Sequence, residues 1–444
     1  MRSNKNSAIA TTLAAALAAC SLAACGGAGG TPSSRPDEVY PEYENNKSMW
    51  IGGWDEPLNT EADYKLAKEM GLTHMFIDGF LEPRHSEGYF KQLENCEKAG
   101  LKAIVGMDTA LKNEGNMPYD ETDFSVYPAV DMINLWDEPF VENFDAVAER
   151  VARANAQYAG KDITLFINFL PGSPGGWQNY IDDMWEKCLS KVNGRKIYST
   201  DIYPLNETRG EYYVSGTWLS RLNMMARAAK NNGGEFHMFI QSYTEQGVCR
   251  DLIGREDLTF QIYTDMAFGI NGFTYFTYRK SFISGFGGGC VENNVSATPT
   301  QIWYWAKEVN EEIAAFDHVY LSFDWDGVYT VNGQDNLEYD EEYENPSFMF
   351  PDQLEALDCT KSVRATQDTL IGQFKDGEGR DGLMVVNFTD PTDGFKDKVS
   401  FEFKDANRAL VYRNGVRRVY EVKDGKLDLN LATGEGVFVI PCKV

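Results

Sequence analysis

The sequence predicts an α/β fold: a closed parallel (β/α)8 barrel of the TIM type, followed by a small C-terminal antiparallel β-sandwich. From about Met49 to Phe316, short apolar runs alternate with amphipathic helical patterns in a long series. About eight strand–helix units in succession mark a parallel sheet closed by crossover helices. No Gly-x-Gly-x-x-Gly turn follows the first strand, which sets aside the rival open dinucleotide-binding sheet. After Phe323 the rhythm changes to short alternating runs separated by Gly, Asp and Asn turns.

The chain has 444 residues, too many for one ordinary domain. It divides into residues 1–25, an export signal, residues 26–47, a tether, residues 48–322, the barrel, and residues 323–444, the sandwich. Arg2 and Lys5 precede an alanine-rich run, Ala8 to Ala19, that is too short to span a bilayer. Leu22-Ala-Ala-Cys25 reads as a lipobox, with Leu17-Ala-Ala-Cys20 a second match and a cleaved secretory peptide with incidental cysteines the alternative; Cys25 is preferred as the lipidated residue because a Gly/Pro/Ser-rich stretch follows it. The expected product is exported and held to the membrane only through a lipid anchor.

Within the barrel, Trp50 to Trp54 is the first strand, and Thr60 caps a helix that ends at Gly71. His74 to Asp78 is the second strand, followed by a helix marked by Phe90, Leu93 and Cys96 and closed by Gly100. Leu101 to Met107 is the third strand, ending at Asp108, and a poorly patterned loop leads to the fourth, Met132 to Leu135. Phe144, Val147, Ala148 and Val151 form a helical stripe. Thr164 to Phe169, Lys196 to Tyr203, His237 to Gln241 and Phe273 to Thr277 are the remaining strands. Helices around Ile181, Trp218 to Lys230, Leu258 to Phe268 and Ile302 to Phe316 separate or follow them. In the sandwich, Asn414-Gly415 and Asp424-Gly425 are hairpin signals.

Composition narrows the function. A formal net charge of −26 argues against nucleic acid or an anionic membrane surface as a partner. The chain has 8 Cys and 4 His with no Cys-x-x-Cys or His-x-x-x-His pattern, so a structural zinc site is not expected, and with no Gly-rich cradle for phosphate or nicotinamide no cofactor is expected. Export permits a bridge between Cys249 and Cys290, which the sequence cannot establish.

In such a barrel the strand carboxyl ends converge on one mouth. Read off in order, those ends supply Trp54, Asp55, Glu56, Asp78 and Asp108, then Asp137 and Glu138 beside Trp136, then Asn168, Asp201 and Tyr203. The last two strands add Gln241, Tyr243 and Glu245, then Tyr275 and Tyr278. A mouth rich in acids and aromatics and poor in His, Cys and Lys suits glycoside hydrolysis, which needs one carboxylic acid and one carboxylate. Glu138 is the first candidate for the acid, since Pro139 ends its strand abruptly. Trp54, Trp136, Trp177 and Tyr203 are candidate sugar platforms, with core packing an equal reading for each.

Asp137-Glu138-Pro139 at the end of the fourth strand of such a barrel resembles the clan A glycoside hydrolases. Ser199-Thr-Asp-Ile-Tyr-Pro204, Phe239-Ile-Gln-Ser-Tyr243 and the stretch from Phe260 to Tyr278 are similar to β-galactosidase-like members. The resemblance spans about Trp50 to Phe316 and implies an oligosaccharide or polysaccharide substrate, with Glu138 as acid/base. It also implies that Asp137, where the family has Asn, contacts the sugar, and that a nucleophile Glu closes strand seven. Here that place holds Gln241, which cannot form a glycosyl ester. Glu245 through a shifted loop, Asp201 on strand six, or a barrel that binds glycans without cleaving them all remain open.

Overall fold

The computed structural model describes residues 38–106, 119–172, 176–281, 285–333 and 356–444. The lipobox with Cys25, Asp108 and the acidic stretch Asp335 to Asp352 lie outside the described residues. The barrel opens with β1 (Trp50–Gly53), α1 (Glu61–Glu69), β2 (His74–Ile77), α2 (Glu87–Ala99) and β3 (Lys102–Gly106). Next come β4 (Val130–Asp137), α3 (Phe144–Gln157), β5 (Thr164–Phe169), α4 (Trp177–Lys187) and β6 (Ile197–Asp201). A hairpin follows, β7 (Leu205–Thr208) and β8 (Glu211–Val214), then α5 (Trp218–Asn232) and β9 (Glu235–Gln241). Last are β10 (Tyr243–Glu245), α6 (Arg255–Ala267), β11 (Gly272–Phe276), β12 (Phe286–Gly288), α7 (Gln301–Ala314) and α8 (Asp317–Tyr320).

Eight of these strands close in the order β1-β11-β9-β6-β5-β4-β3-β2, all parallel. The expected caps form: the Thr60 side chain accepts from the Asp63 N–H, and Gly100 closes α2 in the left-handed conformation. The β7–β8 hairpin and the β10–β12 ribbon are additions absent from the sequence reading. Both sit on loops that leave strand carboxyl ends, and so wall the mouth.

The barrel interior is an aromatic and aliphatic plug of Trp50, Trp54, Phe76, Ile104, Met132, Phe166, Ile197 and Phe239. Two glycines leave it room. A Cβ on Gly272 would collide with the Trp50 indole, and one on Gly52 with the Thr274 hydroxyl.

The C-terminal strands are β13 (Phe323–Val331), β14 (Thr360–Ala365), β15 (Thr369–Asp376), β16 (Asp381–Asn387) and β17 (Asp397–Phe403), with β18 (Arg408–Arg413), β19 (Val416–Glu421), β20 (Lys426–Leu431) and β21 (Gly436–Cys442). They form a six-stranded sheet, β13-β15-β16-β21-β18-β19, and a three-stranded sheet, β14-β17-β20. Asn414-Gly415 makes the expected β18–β19 hairpin. Asp424-Gly425 also turns the chain, both residues having positive φ. Its flanking strands go to different sheets, however, because β20 pairs with β17. The turn is legible in the residues; the strand partner is chosen by packing.

Helix α6 joins the two units. It is buried at every residue from Asp257 to Ala267, with β9 on one side and β15, β16 and β21 on the other. Arg250 and Asp257, both fully buried, form a two-pronged ion pair at its start, with N–O distances of 2.6 and 3.1 Å. Residues 38–47, the end of the expected tether, lie against the same sheet. Glu38 pairs with Arg408 (2.6 Å), Glu42 with Arg417 (2.9 Å), and the Tyr43 hydroxyl donates to Asp376 (3.0 Å). Among the described residues no helix is long and apolar enough to cross a membrane. Cys249 and Cys290 are buried free thiols.

Candidate functional site

The site begins with an irregularity in β4. Strict alternation would continue the inward side chains Met132 and Asn134 with Trp136. Between Asn134 and Trp136 the register against β5 slips by one residue, a β-bulge. Beyond it Leu135 and Trp136 both join the outer core that packs under the helices, and Asp137 takes the inward position opposite Asn168. Arg150 of α3 holds the bulge from outside. Its guanidinium donates to the Leu135 carbonyl at 2.9 Å and stacks 4.2 Å above the Trp136 ring. Trp136 is therefore corrected: it is a buried wall residue, 4 % exposed, and not a sugar platform.

Asp137 and Glu138 are half-buried at the mouth. Glu138 sits at φ 50°, in the left-handed region that non-glycine residues rarely adopt, and its N–H donates to the Asn168 carbonyl at 2.9 Å. The Tyr180 hydroxyl pins the following turn, donating to the Pro139 carbonyl (2.8 Å) and accepting from the Leu170 N–H (3.1 Å). Trp177 is part of that support. It is buried and donates its indole N–H to the Leu170 carbonyl at 2.7 Å.

Asn168, buried at the end of β5, is the centre of the site. Its amide nitrogen donates to Asp137 Oδ1 at 3.1 Å and to Asp201 Oδ1 at 3.0 Å. Two carboxylates more than sixty residues apart in the chain thus share one amide. Since both oxygens reach a single nitrogen, they lie at most about 6 Å apart. Tyr203 closes the group. Burial raises its hydroxyl well above the usual tyrosine range, and the Asp201, Glu138 and Asp137 carboxyls push it the same way, so it stays a neutral donor facing three acids.

An aromatic wall stands beside the acids. Tyr203 stacks on Phe276 (5.4 Å) and meets Tyr243 edge-on (4.9 Å), and Tyr243 stacks on Phe286 (5.6 Å). Trp54 lies at its base against Phe76 (4.6 Å) and Phe276 (6.4 Å). Phe276 and Phe286 were missed. Tyr275 and Tyr278, the aromatic residues expected at this mouth position, are both fully buried on the outer side, with Tyr275 bonded to Asn310 of α7. Tyr278 is corrected from substrate contact to core residue. A strict two-residue alternation from the inward Thr274 would have found Phe276.

On the far side, Asp78 is 4 % exposed and neither carboxyl oxygen has a protein partner. Burial holds its carboxyl well above the usual range, helped by the Glu56, Asp137 and Asp55 carboxyls. Asp55, at φ 67°, is pushed by burial up to about 7.

Gln241 is corrected as well. It is fully buried: its Oε1 accepts from the Leu205 N–H (3.1 Å), and its Nε2 donates to the carbonyls of Leu205 (3.0 Å) and Arg250 (3.3 Å). It ties the hairpin to the barrel and offers a ligand nothing. Glu245 lies on the β10–β12 ribbon beyond Tyr243, where its carboxylate bears on Tyr243 and Cys249. Among the described residues no group of three or more His, Cys, Asp or Glu is arranged to hold a metal ion.

No family model matches the chain, and no curated protein does. Solved structures do. A β-galactosidase from Bacillus circulans sp. alkalophilus superposes with a TM-score of 0.54 at 9% identity, covering 89% of this chain and 99% of that one. A putative α-galactosidase from Bacteroides fragilis gives 0.50 at 11% identity, covering 89% and 80%. The β-galactosidase of Marinomonas ef1 gives 0.46 at 11% identity, covering 61% of this chain, and the match spans only 60% of that enzyme. The likeness to the first two shows a shared fold.

Proposed function

We propose that the chain is a glycoside hydrolase acting on O-glycosidic bonds in oligosaccharides or glycans, with Asp137 and Asp201 as its working carboxyl pair. The observation that carries this reading is the single Asn168 amide nitrogen donating to both carboxyls. Glycoside hydrolysis needs two acids across one bond, one protonated and one charged, and two like charges this close favour a single shared proton. A limit of about 6 Å fits the ~5–5.5 Å spacing of retaining enzymes rather than the ~6.5–9.5 Å of inverting ones. Water attack on a covalent glycosyl-enzyme would complete such a reaction.

Asp78 supports the binding half of the reading. A neutral buried acid with two idle oxygens suits a sugar hydroxyl, which both donates and accepts. The partly exposed rings of Tyr203, Phe276 and Phe286, backed by buried Tyr243 and Trp54, suit the apolar face of a sugar ring. The chain's charge of −26 favours a neutral glycan over an anionic one. The export signal and Leu22-Ala-Ala-Cys25 support placement at the cell surface through a lipid on Cys25.

Glu138 as acid/base is a second reading, favoured by its half-exposed place next to Asp137 and by its strained backbone. Three variants separate the two, assayed on a panel of aryl glycosides. Asp137→Asn and Asp201→Asn are each expected to cost about 10²- to 10⁴-fold in kcat, and Glu138→Gln much less. The reverse order moves the acid to Glu138. Tight glycan binding with no product from the unaltered protein would leave a binding protein on an enzyme-like barrel.

A further inference from the structure

A chain of buried polar side chains runs along the barrel interior to the carboxyl pair. Thr274 Oγ1 lies 3.0 Å from His237 Nε2, and His237 Nδ1 lies 2.9 Å from Ser199 Oγ. The Ser199 hydroxyl donates to Asn168 Oδ1 at 2.9 Å. All four residues are at most 2 % exposed.

Elementary hydrogen-bond accounting fixes every proton. Asn168 must turn its NH₂ toward the two carboxyls, so its Oδ1 is the acceptor for Ser199. Ser199 has spent its one proton there and must accept from His237, which places the imidazole proton on Nδ1. Nε2 is then bare and accepts from the Thr274 hydroxyl. Burial holds His237 well below the usual histidine range, so it stays neutral, stacked 4.1 Å from the Trp50 ring at 7°. The absent Cβ of Gly52 leaves space for the Thr274 hydroxyl. Every donor in the series points the same way, toward Asp137 and Asp201, and bonds aligned head to tail polarise one another.

We propose that Ser199 and His237, with Thr274 behind them, are positioning residues that lock the Asn168 amide in the orientation that serves both carboxyls. Their value to catalysis rests on the two-carboxylate reading; the positioning itself does not. Without Ser199 the amide is free to turn over and present its oxygen to the acids, which favours their protonated forms. Other groups bearing on the pair are Asp78 after β2, Glu138 after β4, Tyr180 from α4, Tyr203 after β6 and Tyr243 from β10. All are left in place by the test.

The test is a carbon-13 NMR titration of the full chain labelled at aspartate carboxyls, with Asp137 and Asp201 assigned from their Asn variants. Ser199→Ala is expected to raise the midpoint of at least one of the pair by about half a pH unit or more, and Ser199→Thr to restore it. Thr274→Val, one link further out, should shift it the same way by less, and decides the matter if Ser199→Ala does not fold. Unmoved midpoints in a folded variant overturn the proposal. Where the protein turns over a glycoside, the acid limb of the kcat profile should follow the same midpoint while KM holds within about twofold. An unaltered protein with no turnover defeats the glycosidase reading alone, since the titration needs no substrate.

Discussion

The ends of β4 and β9 lie on either side of β5 and β6 in the barrel wall, and each carries a polar side chain where a barrel presents its chemistry. At β4 a bulge lifts Asp137 into the mouth, half-exposed and accepting from the neutral Asn168 amide. At β9 the polar group is spent. Gln241 saturates the backbone of Leu205 and a carbonyl of Arg250, and is fully buried. The position is similar and the availability opposite. What separates them is the loop behind: the β7–β8 hairpin starts at Leu205, whose backbone takes up the Gln241 amide, whereas the turn after β4 is held by Tyr180 through the Pro139 carbonyl.

The strongest way to break this contrast is the double variant Asp137→Asn with Gln241→Glu. A functional nucleophile position on β9 would be rescued by the new carboxylate. No rescue is expected, and kcat should stay about 10²- to 10⁴-fold below the unaltered protein. The new Glu would also lose the two donated hydrogen bonds of the amide.

A smaller effect is expected from Arg150→Ala, which removes the guanidinium from the Leu135 carbonyl and the Trp136 face. Urea denaturation should show a loss of about 1–3 kcal/mol, together with a fall in kcat larger than any change in KM. A stable variant with full activity would mean that the bulge needs no outside support.

A separate effect, on stability alone, concerns a third strand end, that of β1. Asp55 has its carboxyl raised to about 7 by burial, against ~3.9 in an unfolded chain. The folded state therefore holds the extra proton between those values, and stability falls as pH rises from about 4 to about 7. Asp55→Asn, at a backbone conformation Asn tolerates well, should flatten that slope and help stability more at about pH 8 than at about pH 5. Parallel denaturation curves for both proteins at both pH values would count against it.

The repeating apolar stripes, the Thr60 and Gly100 caps and the Asn414-Gly415 turn act through neighbours a few residues away, so the barrel strands and most helices were legible. So was the meeting of Asp137, Glu138, Asn168, Asp201 and Tyr203, because parallel strands bring their ends together. Less legible was which way each side chain turns. Trp136 and Asp137 differ by one residue, and a bulge exchanges their faces; Tyr275 and Phe276 are both aromatic, and only the pairing of β11 with β1 and β9 separates them.

By itself, then, the sequence determined a barrel with a β-domain behind it and a mouth lined with acids, since hydrophobic period and turn chemistry are local. Only the tertiary structure decided that β4 slips by one residue, that Gln241 is consumed by the hairpin, and that one amide at the end of β5 spans two acids. Those outcomes depend on which backbone groups are left needing a partner once distant strands have packed, and no stretch of the chain carries that information alone.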